Sequence, residues 1–350
     1  MTAPSTPRPA TGPGGPTDPG GRTGPSARLS PAMLARLHGL RSHLVVIMLM
    51  VLWAALLLFL VTVQPWVLSP CTMTSVLQFS TLLALVALGQ GLVVIGGSGV
   101  DLSVGGTVSL TAVLGTMAFS AGLPAWGLII LCPLLGAVLG AFNGWLVNTL
   151  RVTPLILTLG TFYLYSGSAL ALTNGASLGG LPAWLTTWGR GSWGILPLPF
   201  LWLVVPAYLV AILLLWQTSW GRWIYAMGAG EKAAHLSGIA VDRLRFIIYT
   251  ITGALCGTAG FVSIAWLGSG RPNIGLNLEL EALTAVMLAG VAIDGGKGAI
   301  PGVLAAVLLI VTLKTAMLQG GLNPVWQVGC VGLLLIVALF ADRYSMNRGK

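Results

Sequence analysis

The sequence predicts an all-α polytopic membrane protein with about ten transmembrane helices (eight to ten), some short or broken, and both termini in the cytoplasm. Three observations carry this. Of 350 residues, 56% are hydrophobic and 7% are charged, where ordinary globular domains carry about 25% charged residues. Apolar runs recur near or beyond the roughly 20 residues that cross a bilayer core as a helix. The basic residues gather on one set of alternating loops.

The elements follow in chain order. Residues 1–31 are rich in Pro, Gly, Ser and Thr and almost free of apolar side chains, so they predict a disordered tail that cannot offset its own ordering entropy. The first apolar run, Leu44–Val63, follows Arg36, His38, Arg41 and His43. It is longer than the roughly 7–15 residues of a signal-peptide core, and no small-residue cleavage site follows, so it predicts a retained first span. Further spans are expected at 74–96, 103–121, 124–148, 154–172, 199–217, 245–267, 280–294, 300–318 and 324–341. The eighth of these is short for a full crossing and predicts a partial or broken helix.

With a cytoplasmic tail, ten spans put fourteen of the seventeen Lys and Arg residues inside, including Arg151, Arg222, Lys232, Arg243, Arg245 and Lys297. The net charge of +9 therefore reflects membrane topology, and no basic stripe interleaved with aromatics points to nucleic acid. Gly136-Ala-Val-Leu-Gly140 matches the GxxxG pattern; close packing within the monomer is expected of it in preference to a dimer seam. The thirteen Trp residues fall mostly at span ends or in loops, as an interfacial belt requires.

Catalytic and metal chemistry find no constellation. Cys71, Cys132, Cys256 and Cys330 are scattered, the three His residues sit at segment ends, and there is no H-E-x-x-H, no C-x-x-C and no G-x-x-x-x-G-K-[ST] phosphate loop. No cofactor is implied.

Polar residues in apolar surroundings carry the functional signal. Asp101, in GVDLSVGGTVSL at 99–110, stands between the uncharged runs Val76–Ile95 and Leu102–Leu150. After Gly96-Gly97-Ser98-Gly99 it is expected to cap a new helix, with Ser103 assisting; the alternative is a substrate or ion site at a broken helix. Glu279 and Glu281 flank Leu280 at the outer start of the eighth span, where helix-dipole compensation and a gating role are both open. Residues 221–245 form the longest polar stretch after the tail. There Gly228-Ala-Gly230 breaks the chain, and Glu231–Ser237 makes about two helical turns before Gly238 ends them.

Together these stretches resemble monosaccharide permeases of ATP-binding-cassette importers, of the ribose, xylose, arabinose and galactoside type. The likeness rests on GVDLSVGGTVSLTA at 99–112, Asn143-Gly144, TPLILTLGTFYLYSG at 153–167 and Thr173-Asn-Gly175. It continues through GRWIYAMGAGEKAAHLSGI at 221–239 and ELEALTAVMLAGVAIDGGKG at 279–298.

The resemblance implies a permease domain over 44–341 with a cytoplasmic coupling segment at 221–243, in a bacterial cytoplasmic (inner) membrane. It implies three protein partners: a separate cytoplasmic ATPase, an extracytoplasmic solute-binding protein and a second permease subunit. It places Glu231, Lys232, Ala233, Leu236, Ser237 and Gly238 at the ATPase contact, with Lys232 standing where the family has alanine. Asp101, Ser103, Asn143, Thr158, Thr161, Glu279 and Glu281 then fall on the translocation path or its gates. Two rivals stay open at this level. One keeps the architecture and imports a branched-chain amino acid or nucleoside. The other is a self-sufficient ion-coupled carrier using Asp101.

Overall fold

Apolar runs in lipid have only two ways to satisfy their backbones, and the described spans take the helical one. The structure, a computed structural model, describes residues 47–58, 62 and 69–347, without the side chains of 324 and 337–347. The tail at 1–31, the cluster Arg36, His38, Arg41 and His43, and Arg8, Arg22, Arg28, Trp66, Arg348 and Lys350 lie outside the described residues.

The long helices are α1 (Ile47–Leu58), α2 (Pro70–Ile95), α3 (Val104–Ser120), α4 (Leu128–Leu150, entered through a 3-10 turn) and α5 (Pro154–Thr173). A short α6 (Ala183–Arg190) and a two-residue hairpin (Ser192–Trp193 with Leu196–Pro197) lead through a π turn into α7 (Val205–Gln217). Then come α8 (Ser219–Ala229), α9 (Glu231–Leu236), α10 (Val241–Leu267), α11 (Leu278–Leu288), α12 (Ile300–Gln319) and α13 (Pro324–Asn347). Among the described residues, six segments are long and apolar enough to cross a membrane, and α1, α3 and part of α13 are shorter apolar helices. The chain is an all-α polytopic membrane protein.

Helix starts follow local chemistry. Pro70, Pro154 and Pro301 stand in first turns, where their missing N–H is no loss. Ser69 caps α2 by accepting from the Thr72 N–H at 3.2 Å.

Burial sorts the spans into a centre and a shell. The most apolar window of α2 is 94% buried by protein, while that of α4 is 28% buried. Large side chains such as Ile130, Leu134, Val138 and Trp145 face outward from α4. The inward face of α4 is a glycine seam against α10. A Cβ at Gly136 would strike the Gly253 carbonyl, and one at Gly140 the Tyr249 carbonyl. The GxxxG pattern thus serves packing inside the monomer, where van der Waals contact replaces the missing hydrophobic drive.

The eighth expected span is a half-helix. After α10 the chain runs back along α3 as an irregular segment: Gly270 lies against Ala112 and Thr116, then Gly275 against Gly105 and Ser109. The Gly275 N–H donates to Ser109 Oγ at 2.9 Å. Only then does α11 begin, and it ends before Gly290, whose φ is 73°. Glu279 thereby comes to lie beside α3's first turn, its Oε2 close to where a Cβ at Gly105 would sit.

Candidate functional site

The break between α2 and α3 is built by glycine. Gly97 has φ 63°, and a Cβ there would meet Gly228 Cα at 2.8 Å. Only glycine fits both the left-handed backbone and the contact. A Cβ at Gly295 would in turn meet Gly97 Cα at 2.6 Å, and the Gly296 N–H donates to the Ile95 carbonyl at 2.8 Å. Three loops, at 96–99, 228–230 and 293–298, meet at this joint backbone to backbone.

Asp101 follows this joint and is 2% exposed. It does not cap α3 directly, since the residue before the helix is Ser103. Instead Asp101 Oδ1 accepts from the Ser103 N–H at 2.9 Å and from Ser103 Oγ at 2.6 Å. This Asx-type turn, one step upstream of the helix, supplies the hydrogen bonds that a buried carboxylate requires.

Neighbouring helices complete the knot. Asn143 Nδ2 on α4 donates to Ser103 Oγ at 2.6 Å, and the Tyr165 hydroxyl on α5 lies 3.1 Å from Asn143 Oδ1. Thr158 accepts from the Leu102 N–H at 3.0 Å and donates to the Val100 carbonyl at 3.2 Å. The Tyr249 hydroxyl on α10 donates to the Ser98 carbonyl at 3.0 Å. With its amide turned so that each end meets its complement, Gln90 donates to the Asp101 carbonyl at 2.9 Å and accepts from the Asp101 N–H at 3.3 Å. Asp101, Ser103, Asn143 and Thr158 are thus brought together. Thr161 is buried but bonds within its own helix, to the Thr158 carbonyl at 3.2 Å.

Glu279 and Glu281 form a second locus. Glu281 Oε1 pairs with Lys314 Nζ of α12 at 2.7 Å. Glu279 is 9% exposed, and its Oε2 has no hydrogen-bond partner among the described residues. That oxygen lies where a Cβ at Gly105 would sit.

The third locus is α9. Glu231, Lys232, Ala233 and Leu236 lie within it, Ser237 ends it, and Gly238 turns away with φ 81°. Ala234 is its buried contact, while Leu236 is 87% exposed. Glu231 is held by Arg245 across 2.8 Å.

Sequence comparison joins these loci. The model of a family described as "Branched-chain amino acid transport system / permease component" matches residues 72–339, the span that contains all three. The chain belongs to this permease family. The autoinducer 2 import system permease protein LsrD of Klebsiella pneumoniae is 34% identical over 285 residues, covering 78% of this chain and 85% of that protein. The fructose import permease protein FrcC of Rhizobium meliloti is 33% identical over 324 residues, covering 88% and 87%. The ribose import permease protein RbsC of Bacillus subtilis is 34% identical over 282 residues, covering 80% and 87%.

For the permease, three partners of the Asp101 turn escape a reading of the sequence: Gln90, Tyr165 and Tyr249. Gln90 has a readable signal. It stands between Gly89 and Gly91 inside an uncharged apolar run, and a buried amide there needs a partner. The two tyrosines carry no such mark, because an aromatic residue in a span is ordinary.

Proposed function

We propose that the permease is the membrane subunit of an ATP-driven importer for a monosaccharide. In this reading an extracytoplasmic binding protein delivers the sugar, and a separate cytoplasmic ATPase drives its passage. The observation that carries the proposal is α9, a six-residue helix hung between Gly230 and Gly238 that holds Leu236 out to solvent. A leucine 87% exposed on a tethered polar helix, covered by none of the described residues, offers the apolar contact that a docked partner would bury. A self-sufficient carrier has no use for it, and the chain carries no phosphate loop with which to bind nucleotide itself. The import functions named for the relatives, including ribose and fructose, support a sugar as cargo.

The remaining assignments follow. About ten crossings, with α11 as a partial one, place both termini and α9 on the cytoplasmic side of the bacterial inner membrane. A second permease subunit covers the outward apolar faces, and the path runs past the Asp101 turn and the free Glu279 oxygen. The Asp101 turn acts as a structural break whose side-chain ties shift as the subunits swing between outward and inward openings.

The test is gentle purification of the tagged chain from its native membrane. An ATPase should be recovered in stoichiometric amount, and Leu236→Asp should lose it while the chain keeps its helical content and monodispersity. Recovery of the unaltered chain alone, in a form that transports sugar after reconstitution, would overturn the proposal in favour of a self-sufficient carrier.

A further inference from the structure

Arg245 lies in the second turn of α10, just beyond the segment expected to contact the ATPase. The pattern of the sequence counts it only among basic residues on the inner side. The structure places its side chain at a junction. Nη2 is 2.8 Å from Glu231 Oε2 on α9, and Nη1 is 3.2 Å from Asn148 Oδ1 on α4 and 3.6 Å from Asp242 Oδ1. Asn148 closes the ring by donating from Nδ2 to the Asp242 carbonyl at 2.8 Å. Arg245 is 8% exposed, whereas Glu231 and Asp242 are exposed.

We propose that Arg245 is the positioning residue that ties the coupling helix to the membrane bundle, so that a displacement of α9 is delivered to α4 and α10. The proposal rests on the importer reading above. A planar guanidinium can grip two acceptors at fixed angles, which a lysine cannot. Both helices it grips lead to the Asp101 turn. On α4, Asn148 stands five residues from Asn143, about 7.5 Å along the axis, and Asn143 holds Ser103. On α10, Tyr249 stands one turn beyond Arg245 and holds the Ser98 carbonyl. A cavity of about 800 Å³, lined by Ser98, Gly99, Asn148, Glu231 and Arg245 among others, opens beside this link. The bland rival is a surface ion pair of little worth; against it stands the burial of the arginine and its bond to a third element.

Because a chain of contacts is not yet a demonstrated coupling, the test reads coupling itself. The intact importer is reconstituted in vesicles, and ATP hydrolysed per labelled ribose or fructose taken up is measured. R245Q should still recover the ATPase and hydrolyse ATP, with uptake per ATP reduced about tenfold, the loss expected of one charge-assisted contact. R245K should restore part of it, and E231Q/R245Q should be no worse than R245Q alone. Asn148→Ala, which leaves the Glu231 pair intact, should also lower uptake per ATP and decides the matter if R245Q fails to assemble. Unchanged uptake per ATP in N148A and in every assembled Arg245 variant overturns the proposal alone. Failure of the unaltered chain to recover any ATPase sinks the importer reading, and this proposal with it.

Discussion

Ser103 owns one hydroxyl proton, and the Asp101 turn fixes where it goes. Ser103 Oγ donates to Asp101 Oδ1 at 2.6 Å, so toward Asn143 it can only accept, and Asn143 Nδ2 supplies the donor at 2.6 Å. Asn143→Asp keeps the volume, replaces that donor by an acceptor and sets a second buried carboxylate beside Asp101. The variant loses one buried hydrogen bond and sets an oxygen lone pair against Ser103 Oγ. The expected cost is about 2–4 kcal/mol, from about 1 for the bond and about 1–3 for the unsatisfied buried group. Asn143→Ala loses the same bond but leaves no opposing oxygen, so it should cost about 1–2 kcal/mol.

The assay is thermal unfolding of the detergent-purified chain in both variants, repeated on a Ser103→Ala background. Removing Ser103 removes the opposing oxygen but not the Asp101 carboxylate, so N143D should then cost less than it does with Ser103 present while still exceeding N143A, and the cycle should be non-additive. If N143D matches or exceeds N143A in stability with Ser103 present, the proton runs from Ser103 to residue 143, and the donor–acceptor order assigned to the knot is wrong.

Two further predictions rest on separate features. Lys314→Met leaves the half-buried Glu281 without its partner and should destabilise by about 1–3 kcal/mol, most of which E281L/K314M should recover in chemical denaturation. Gly140→Val drives a side chain into the Tyr249 carbonyl; overpacking of the α4–α10 seam should cost about 1–3 kcal/mol in the same assay, while Gly160→Val, where a Cβ meets open space, should leave this packing untouched.

Much of the fold is legible in the sequence because membrane spans announce themselves. A run such as Leu128–Leu150 has no charged residue and no other way to satisfy its backbone in lipid, so its limits are set locally. The α9 helix is legible for a similar reason: Gly230 and Gly238 punctuate it in the chain itself. What escapes the sequence depends on distant residues. The start of α11 is fixed by Gly270 and Gly275 lying on α3, and Gly275 is 166 residues from the Ser109 that holds it. Asp101 is recognisable as a residue needing hydrogen bonds. Ser103, two residues on, is legible as their local source; that Asn143 in turn holds Ser103 follows only from the packing of α4 against α3.

The glycine joint at residues 97, 228 and 295–296 has a mechanical meaning of its own. Side chains absorb small movements by changing rotamer, as padding absorbs a knock. At this joint the padding is missing: main chain rests on main chain, and the Gly296 N–H grips the Ile95 carbonyl at 2.8 Å. The end of α8, which carries α9 directly behind it, therefore meets the end of α2 as bone meets bone. Such a hinge has no backlash, and it also has no tolerance, since a single added methyl group would pry all three loops apart.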